Sequence, residues 1–274
     1  MRHIFFQFWS QLRRHALLLG AYFAQYAKVR VSYRADFFVS LATSAAATVF
    51  SLGFVWTLFQ KVPRLANWRM EEVLFLYGFS LIPFGLFNVL SMNLYEFGST
   101  YIMEGKFDRV LLRPISSLFQ VLFETFRIES FHEVFVGLAI LVWAARRLEH
   151  HWTLLDLFLL AFFGLCGGII YVSVFLFLTT ISFWFEDRVG IHPPFWNLLA
   201  FGRYPLSIYS GYIRFLLSWI VPFGFATFYP SVRLLGHAEF RGYSLLIPLV
   251  AAAALALAGT AWRFGLRHYS STGS

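Results

Sequence analysis

Residues 157–185 read LFLLAFFGLCGGIIYVSVFLFLTTISFWF, twenty-nine consecutive positions without a charged side chain. An α-helix rises about 1.5 Å per residue, so about 20 residues already cross the roughly 30 Å of hydrocarbon in a bilayer. A water-exposed helix of this length would keep a polar face, and this one has none. In a bilayer such a helix closes its own backbone hydrogen bonds, which is what the absence of water requires. The whole chain agrees. It is 59% hydrophobic and only 13% charged, with a mean hydropathy of +0.65, more apolar surface than a soluble core can hide. The runs are long and continuous rather than short and alternating, which selects helices over a barrel.

Working outward, Phe37 to Phe59 and Val73 to Tyr95 are uncharged and long enough to span, and Pro83 predicts a kink in the second. Leu245 to Trp262 is another such run. Val134 to Ala145 is uncharged but short, and lengthening it takes in Glu129, His132 and Glu133. Pro193, Pro194, Gly202 and Pro205 break the stretch His192 to Tyr212, which reads as a re-entrant or interfacial approach to a fifth span ending in Phe215 to Tyr229, with Pro222 inside it. The expectation is an all-α polytopic membrane protein of about six transmembrane helices, with residues 37–274 as one membrane domain. Gly164 and Gly168 form a small-xxx-small pair through which another helix can approach closely.

Residues 1–36 form a separate unit. Read as a helix, residues 4–26 place Phe5, Phe8 and Leu12 on one side and Gln7, Ser10 and Arg14 roughly opposite, the pattern of a helix lying in the membrane interface. A surface helix packed on the rest of the protein is the plainer alternative. Arg13, Arg14 and His15 interrupt any apolar core a cleavable signal would need. With the amino terminus inside, Lys and Arg divide thirteen to seven in favour of the cytoplasmic side, which predicts both termini in the cytoplasm.

The net charge of +8 comes from basic residues at the ends of apolar runs, a distribution suited to anionic headgroups rather than nucleic acid. The single cysteine, Cys166, excludes an intrachain disulfide and any multi-cysteine metal site. Only three lysines are present, and the glycine-led one, Lys106, is followed by Phe107 rather than Ser or Thr, so there is no phosphate-binding loop. Neither H-E-x-x-H nor G-x-S-x-G occurs. Glu129, His132 and Glu133 have the spacing for a metal site or a proton relay, but they read more simply as charges at headgroup level. His150 and His151 read as exposed loop, and Asp156 as a helix-start charge. No catalytic residue, metal site or bound cofactor is expected of this chain.

The most informative polar stretch follows the second span: Glu104, Gly105, Lys106, Phe107, Asp108, Arg109, then Arg113 and Pro114, within a loop of about 98–118. A short helix there would carry Phe107, Val110 and Leu111 on one face and charges on another, which suits docking to a soluble partner.

Four segments then carry a likeness: Tyr33 to Phe37, Gly105 to Pro114, Tyr204 to Tyr209, and Val221-Pro222-Phe223 leading to Tyr229-Pro230. In this order on a six-span pattern, the chain resembles a permease subunit of the ABC-2 type of ABC exporters, in the branch of small bacterial permeases. The resemblance implies two permeases, identical or paralogous, forming a path across the bacterial cytoplasmic membrane. Separate ABC ATP-binding subunits would hold ATP and Mg. It also implies that the interfacial helix of residues 4–26 and the loop residues 101–114 touch those subunits. An ATPase-independent secondary transporter or channel is the competing class; it predicts ionisable groups near the midplane, absent from the centres of spans one, two, four and six. A membrane enzyme lacks a convergent site, and a scaffold would not copurify with an ATPase. The uncharged, aromatic-rich path suits an amphipathic or lipid-like cargo.

Overall fold

The computed structural model describes residues 17–26, 28, 34–149, 152–185 and 190–270, and all regular elements among them are helical. Five helical stretches are long and apolar enough to cross a membrane: Ala35–Lys61, Met70–Met103, Ile128–Arg147, Leu154–Phe185 and Arg241–Leu266. Their main helices are α1 (Arg34–Lys61), α2 (Met70–Ser91), α5 (Phe131–Arg147), α6 (Leu154–Thr180) and α12 (Ile247–Leu266). Between α2 and α5 lie the short helices α3 (Lys106–Leu111) and α4 (Ser117–Phe123). After α6 come α7 (Ser182–Phe185), α8 (His192–Leu198), α9 (Gly211–Phe215), α10 (Phe223–Ala226) and α11 (Phe228–Leu235).

Helix α2 is the central post, buried along nearly its whole length between α5 and α6. Small residues make this possible. A Cβ on Gly78 would stand 2.8 Å from the Gly137 carbonyl oxygen, and one on Gly137 would stand 2.6 Å from the Gly78 oxygen. The two backbones therefore touch, and dispersion between them replaces the hydrophobic driving force that lipid cannot supply. On the other side, Gly164 faces Ile82 and Gly168 faces Leu86, so the small-residue pair packs inside the chain. Gly167 is tighter still, 2.8 Å in Cβ terms from the Pro83 ring and 2.6 Å from the Ala226 carbonyl oxygen. Pro83 lies within continuous α2. By contrast α1 touches α2 and the turn Ile128–Ser130 and leaves Phe38, Phe50 and Phe54 exposed.

The fifth crossing is a broken chain rather than a helix, and it corrects the expected order of re-entrant segment and span. At its start, His192 meets Thr179, whose Oγ1 donates to the Leu94 carbonyl at 2.9 Å. Trp196 then packs on Phe87 and Phe84, Arg203 lies over Phe84 and Tyr77, and Ser207 Oγ accepts from Trp68 Nε1 at 3.0 Å. Residues 192–208 thus climb α2 from Leu94 to its far end. Residues 211–235 are the re-entrant part. They leave the Trp68 end, dip until Phe223 meets Tyr171, and return so that Phe228 and His237 both pack on Trp68. Pro222 marks the reversal, just after the π-helical turn Leu216–Ile220. The hairpin is held by Ser218 and Tyr229 hydroxyls 2.8 Å apart and by Thr227 Oγ1 donating to the Gly202 carbonyl at 2.6 Å.

Two further expectations change. Glu133 does not sit at headgroup level: it is buried opposite Gly85, and Asn88 Nδ2 donates to its Oε2 at 2.9 Å, close to the middle of the second span. Arg203 likewise lies inside the bundle instead of in a loop. Ionisable groups of the third and fifth crossings therefore do stand level with the middle of α2, beside Phe84, Gly85 and Asn88.

Candidate functional site

The loop after the second span is built from its glycine outward. The helical chain of span two widens into a π-helical turn at Gly98–Met103, and Gly105 then takes φ +67°, a left-handed conformation that costs a residue with a side chain about 1 kcal/mol. That reversal starts α3 at Lys106. On a six-residue helix, positions 107 and 110 share a face, and here that face turns inward: Phe107 and Val110 are buried.

Phe107 was expected to be an exposed anchor for a partner, and it is not one. Its ring sits among Tyr269 at 4.9 Å, Phe97 at 5.4 Å, Phe183 at 5.5 Å and Trp262 at 6.0 Å. Gly265 makes room for this cluster, since a Cβ there would come within 2.5 Å of the Phe183 ring. Leu111, assigned to the same face, points outward instead. The exposed apolar residues are Met103, Leu111 and Leu112, the last 85% exposed. Around them stand Glu104, Lys106, Arg109, Arg113 and Pro114, all exposed, while Asp108 is half-buried.

Polar bonds fix the loop to three other parts of the chain. Tyr269 donates its hydroxyl to Asp108 Oδ1 at 2.9 Å, tying α3 to the segment after the last span. Burial and this bond push the Tyr269 hydroxyl up to about 12, so it keeps its proton at neutral pH. Gln120 on α4 donates to the carbonyls of Val110 and Ile115. Tyr101 donates to Glu124 at 2.5 Å. Lys106 pairs with Glu104 at 2.8 Å and Arg127 with Glu96 at 3.4 Å, exposed pairs that set orientation more than stability. Beside α3 lies a cleft of about 390 Å³ with both charge signs on its walls, including Glu96, Lys106, Arg109, Arg113 and Glu124.

The amino-terminal stretch reaches the same end. Residues 17–26 are helical, and Phe23 packs on Phe126 at 5.7 Å. Phe5, Phe8, Leu12 and Arg14 lie outside the described residues. Both described ends of the chain, Phe23 and Tyr269, therefore gather with the loop at one end of the bundle. No group of three or more His, Cys, Asp or Glu side chains that could hold a metal occurs among the described residues.

The family model for the ABC-2 family transporter protein matches residues 45–273. The chain belongs to the ABC-2 transporter family. It is thus a multi-pass membrane protein and an ABC transporter permease, as the four motif segments implied. No curated relative and no solved structure gives a significant match. Within the ABC-2 match lie α3, the broken fifth crossing and the re-entrant hairpin, so each is part of the permease unit itself. Sequence reasoning missed the inward turn of Phe107 because a six-residue amphipathic helix leaves open which of its apolar residues faces in. The many aromatics at 97, 183, 262 and 269 were the available signal.

Proposed function

We propose that this chain is the membrane half of an ATP-driven ABC exporter in a bacterial cytoplasmic membrane. It pairs with a second permease, identical or paralogous, and with separate ATP-binding subunits that hold ATP and Mg. The carrying observation is the ABC-2 family match over residues 45–273 in a chain that lacks a phosphate-binding loop. Residues 98–118 are the ATPase-coupling element. Met103, Leu111 and Leu112 supply its apolar contact, and Glu104, Lys106, Arg109 and Arg113 supply its rim. Apolar anchors dominate most interfaces while rim charges steer and orient. Leu112→Ala should therefore weaken association with the ATP-binding subunit by about 1–2 kcal/mol without changing membrane expression. Copurification of the two subunits measures this, and unchanged yield would remove Leu112 from the contact.

The loop end is the cytoplasmic end in this reading. Arg127 joins it, Arg214 goes to the Trp68 end through its contact with Phe240, and Arg203 leaves the count, so the Lys and Arg balance is thirteen to eight. A cysteine at position 112, in a background with Cys166 replaced, should label with an impermeant reagent only after the membrane is opened. One at exposed position 212 should label in intact cells; the reverse pattern would invert the orientation. Purified alone, the chain should hydrolyse no ATP above background. Closure of the ATP-binding subunits would push on α3, and Phe107 would pass that push through Phe183 to α7 and through Trp262 to the end of α12.

A further inference from the structure

A charged side chain near the bilayer midplane costs about 2.5–3.5 kcal/mol on insertion scales, and one that persists there marks a function by default. Arg203 is such a residue. It lies on the broken fifth crossing with its guanidinium 5.0 Å from the Phe84 ring and 5.9 Å from the Tyr77 ring. Phe84 is the midpoint of the uncharged run Val73 to Tyr95, and its neighbour Pro83 packs on Gly167, halfway along α6.

The aromatic faces compensate part of the charge, about 0.5–2 kcal/mol. They do not satisfy the donors. Guanidinium carries five N–H groups, and among the described residues none of them makes a hydrogen bond or an ion pair. Glu133 is close enough for the Arg203 charge to act on it, yet its carboxylate is bonded to Asn88. Glu133 thus leaves the donors unoccupied. Arg203 is only partly buried, so its donors remain reachable. The Tyr77 hydroxyl, buried and without a hydrogen-bond partner among the described residues, adds a second uncommitted donor beside it. The backbone is held for this purpose: the Gly202 carbonyl accepts from Thr227, and Gly202 lets the hairpin approach so closely that a Cβ would stand 3.2 Å from Thr227 Oγ1. A fixed planar fork on an aromatic floor suits bidentate binding of an oxyanion.

We propose that Arg203 is an oxyanion-recognition site within the permease, taking the phosphate or carboxylate of an amphiphilic substrate whose apolar body stays among the surrounding aromatic rings. Its place in a transport path rests on the permease reading above; the binding itself does not. The test uses the purified full chain with no ATP-binding subunit, so a failure of ATPase association leaves it unaffected. Vesicle lipids with identical acyl chains, phosphatidylglycerol and phosphatidylcholine, are compared by the amount retained on the protein. Wild type should prefer phosphatidylglycerol, Arg203→Gln should lose that preference by about tenfold, and Arg203→Lys should keep part of it. Arg267→Gln, at the loop end, controls for headgroups bound elsewhere and should change little. Inorganic phosphate added as competitor separates the sources: displacement shows that a free oxyanion suffices, and no displacement shows that the amphiphile is needed. Should Arg203→Gln fail to fold, wild-type protein still decides, because phenylglyoxal modification of Arg203 should be slowed by phosphatidylglycerol and not by phosphatidylcholine. Equal modification in both lipids, or an unchanged preference in a folded Arg203→Gln, overturns the proposal.

Discussion

Gly137→Val should yield almost no correctly assembled protein in the membrane. The new Cβ would lie 2.6 Å from the Gly78 carbonyl oxygen and 2.9 Å from the Leu81 Cβ, so the obstacle is backbone and a Cβ that the backbone fixes, neither of which can swing away. Helices α2 and α5 would have to part, and a close-packed interface loses dispersion steeply with even a small gap. Overpacking of a well-ordered core costs about 1–3 kcal/mol when side chains can adjust; with two backbones in contact the cost should reach or exceed the upper end. Gly164→Ala, which meets only the Ile82 Cγ2 methyl at 3.1 Å and no backbone, should cost much less, and Gly259→Ala, with open space around it, should be neutral. Membrane yield and melting temperature in detergent would rank the three. A stable, well-expressed Gly137→Val would show that α2 and α5 are not in backbone contact.

Phe107→Ala should destabilise the fold by about 3 kcal/mol or more, the range for truncating a buried aromatic. The four rings around it would lose their common neighbour and Asp108 its fixed position beside Tyr269. Phe107→Leu fills part of the space and should recover most of the stability. If that variant folds but consumes ATP without transport when joined to its ATP-binding subunit, Phe107 is the element that carries movement from α3 to the spans. Leu112→Ala provides the contrast, since it should lose association while keeping the melting temperature. An unchanged melting temperature for Phe107→Ala would place the ring outside the protein and restore it as a direct contact.

The uncharged runs at 37–59, 73–95, 157–185 and 245–262 were legible because a bilayer imposes length and apolarity that composition reports directly. The fifth crossing was not. Residues 192–208 contain two prolines, a glycine, an arginine and another proline, features that argue against a span when helices are the only permitted crossing. Packed on one side against α2, α6 and the hairpin through His192, Leu199, Gly202, Pro205 and Leu206, and closing backbone bonds within short helical turns, such a chain is permitted. Residues 215–229 misled in the other direction, since their apolarity serves contacts with α6 and α12 instead of a crossing of their own. Glu133 was misplaced for a related reason: Asn88, its partner, lies forty-five residues away in sequence. Of the small-residue positions, the pair 164 and 168 followed from spacing, whereas the tighter Gly167 depends on the Ala226 carbonyl arriving from a distant segment.

The re-entrant hairpin also fixes an order of biogenesis. Residues 211–235 settle against Trp68, Tyr171 and Gly167, so they cannot take up their final position until α2 and α6 are inserted and paired. During synthesis the hairpin must first be delivered to the far side of the membrane and then fold back between helices already in place. A cysteine in place of Ser231, which is buried in the finished protein, should therefore be accessible from that side in nascent chains truncated before α12 and protected once the full chain has been made. Protection in the truncated chain would place hairpin docking ahead of the last helix and make α12 a cover added to a finished core.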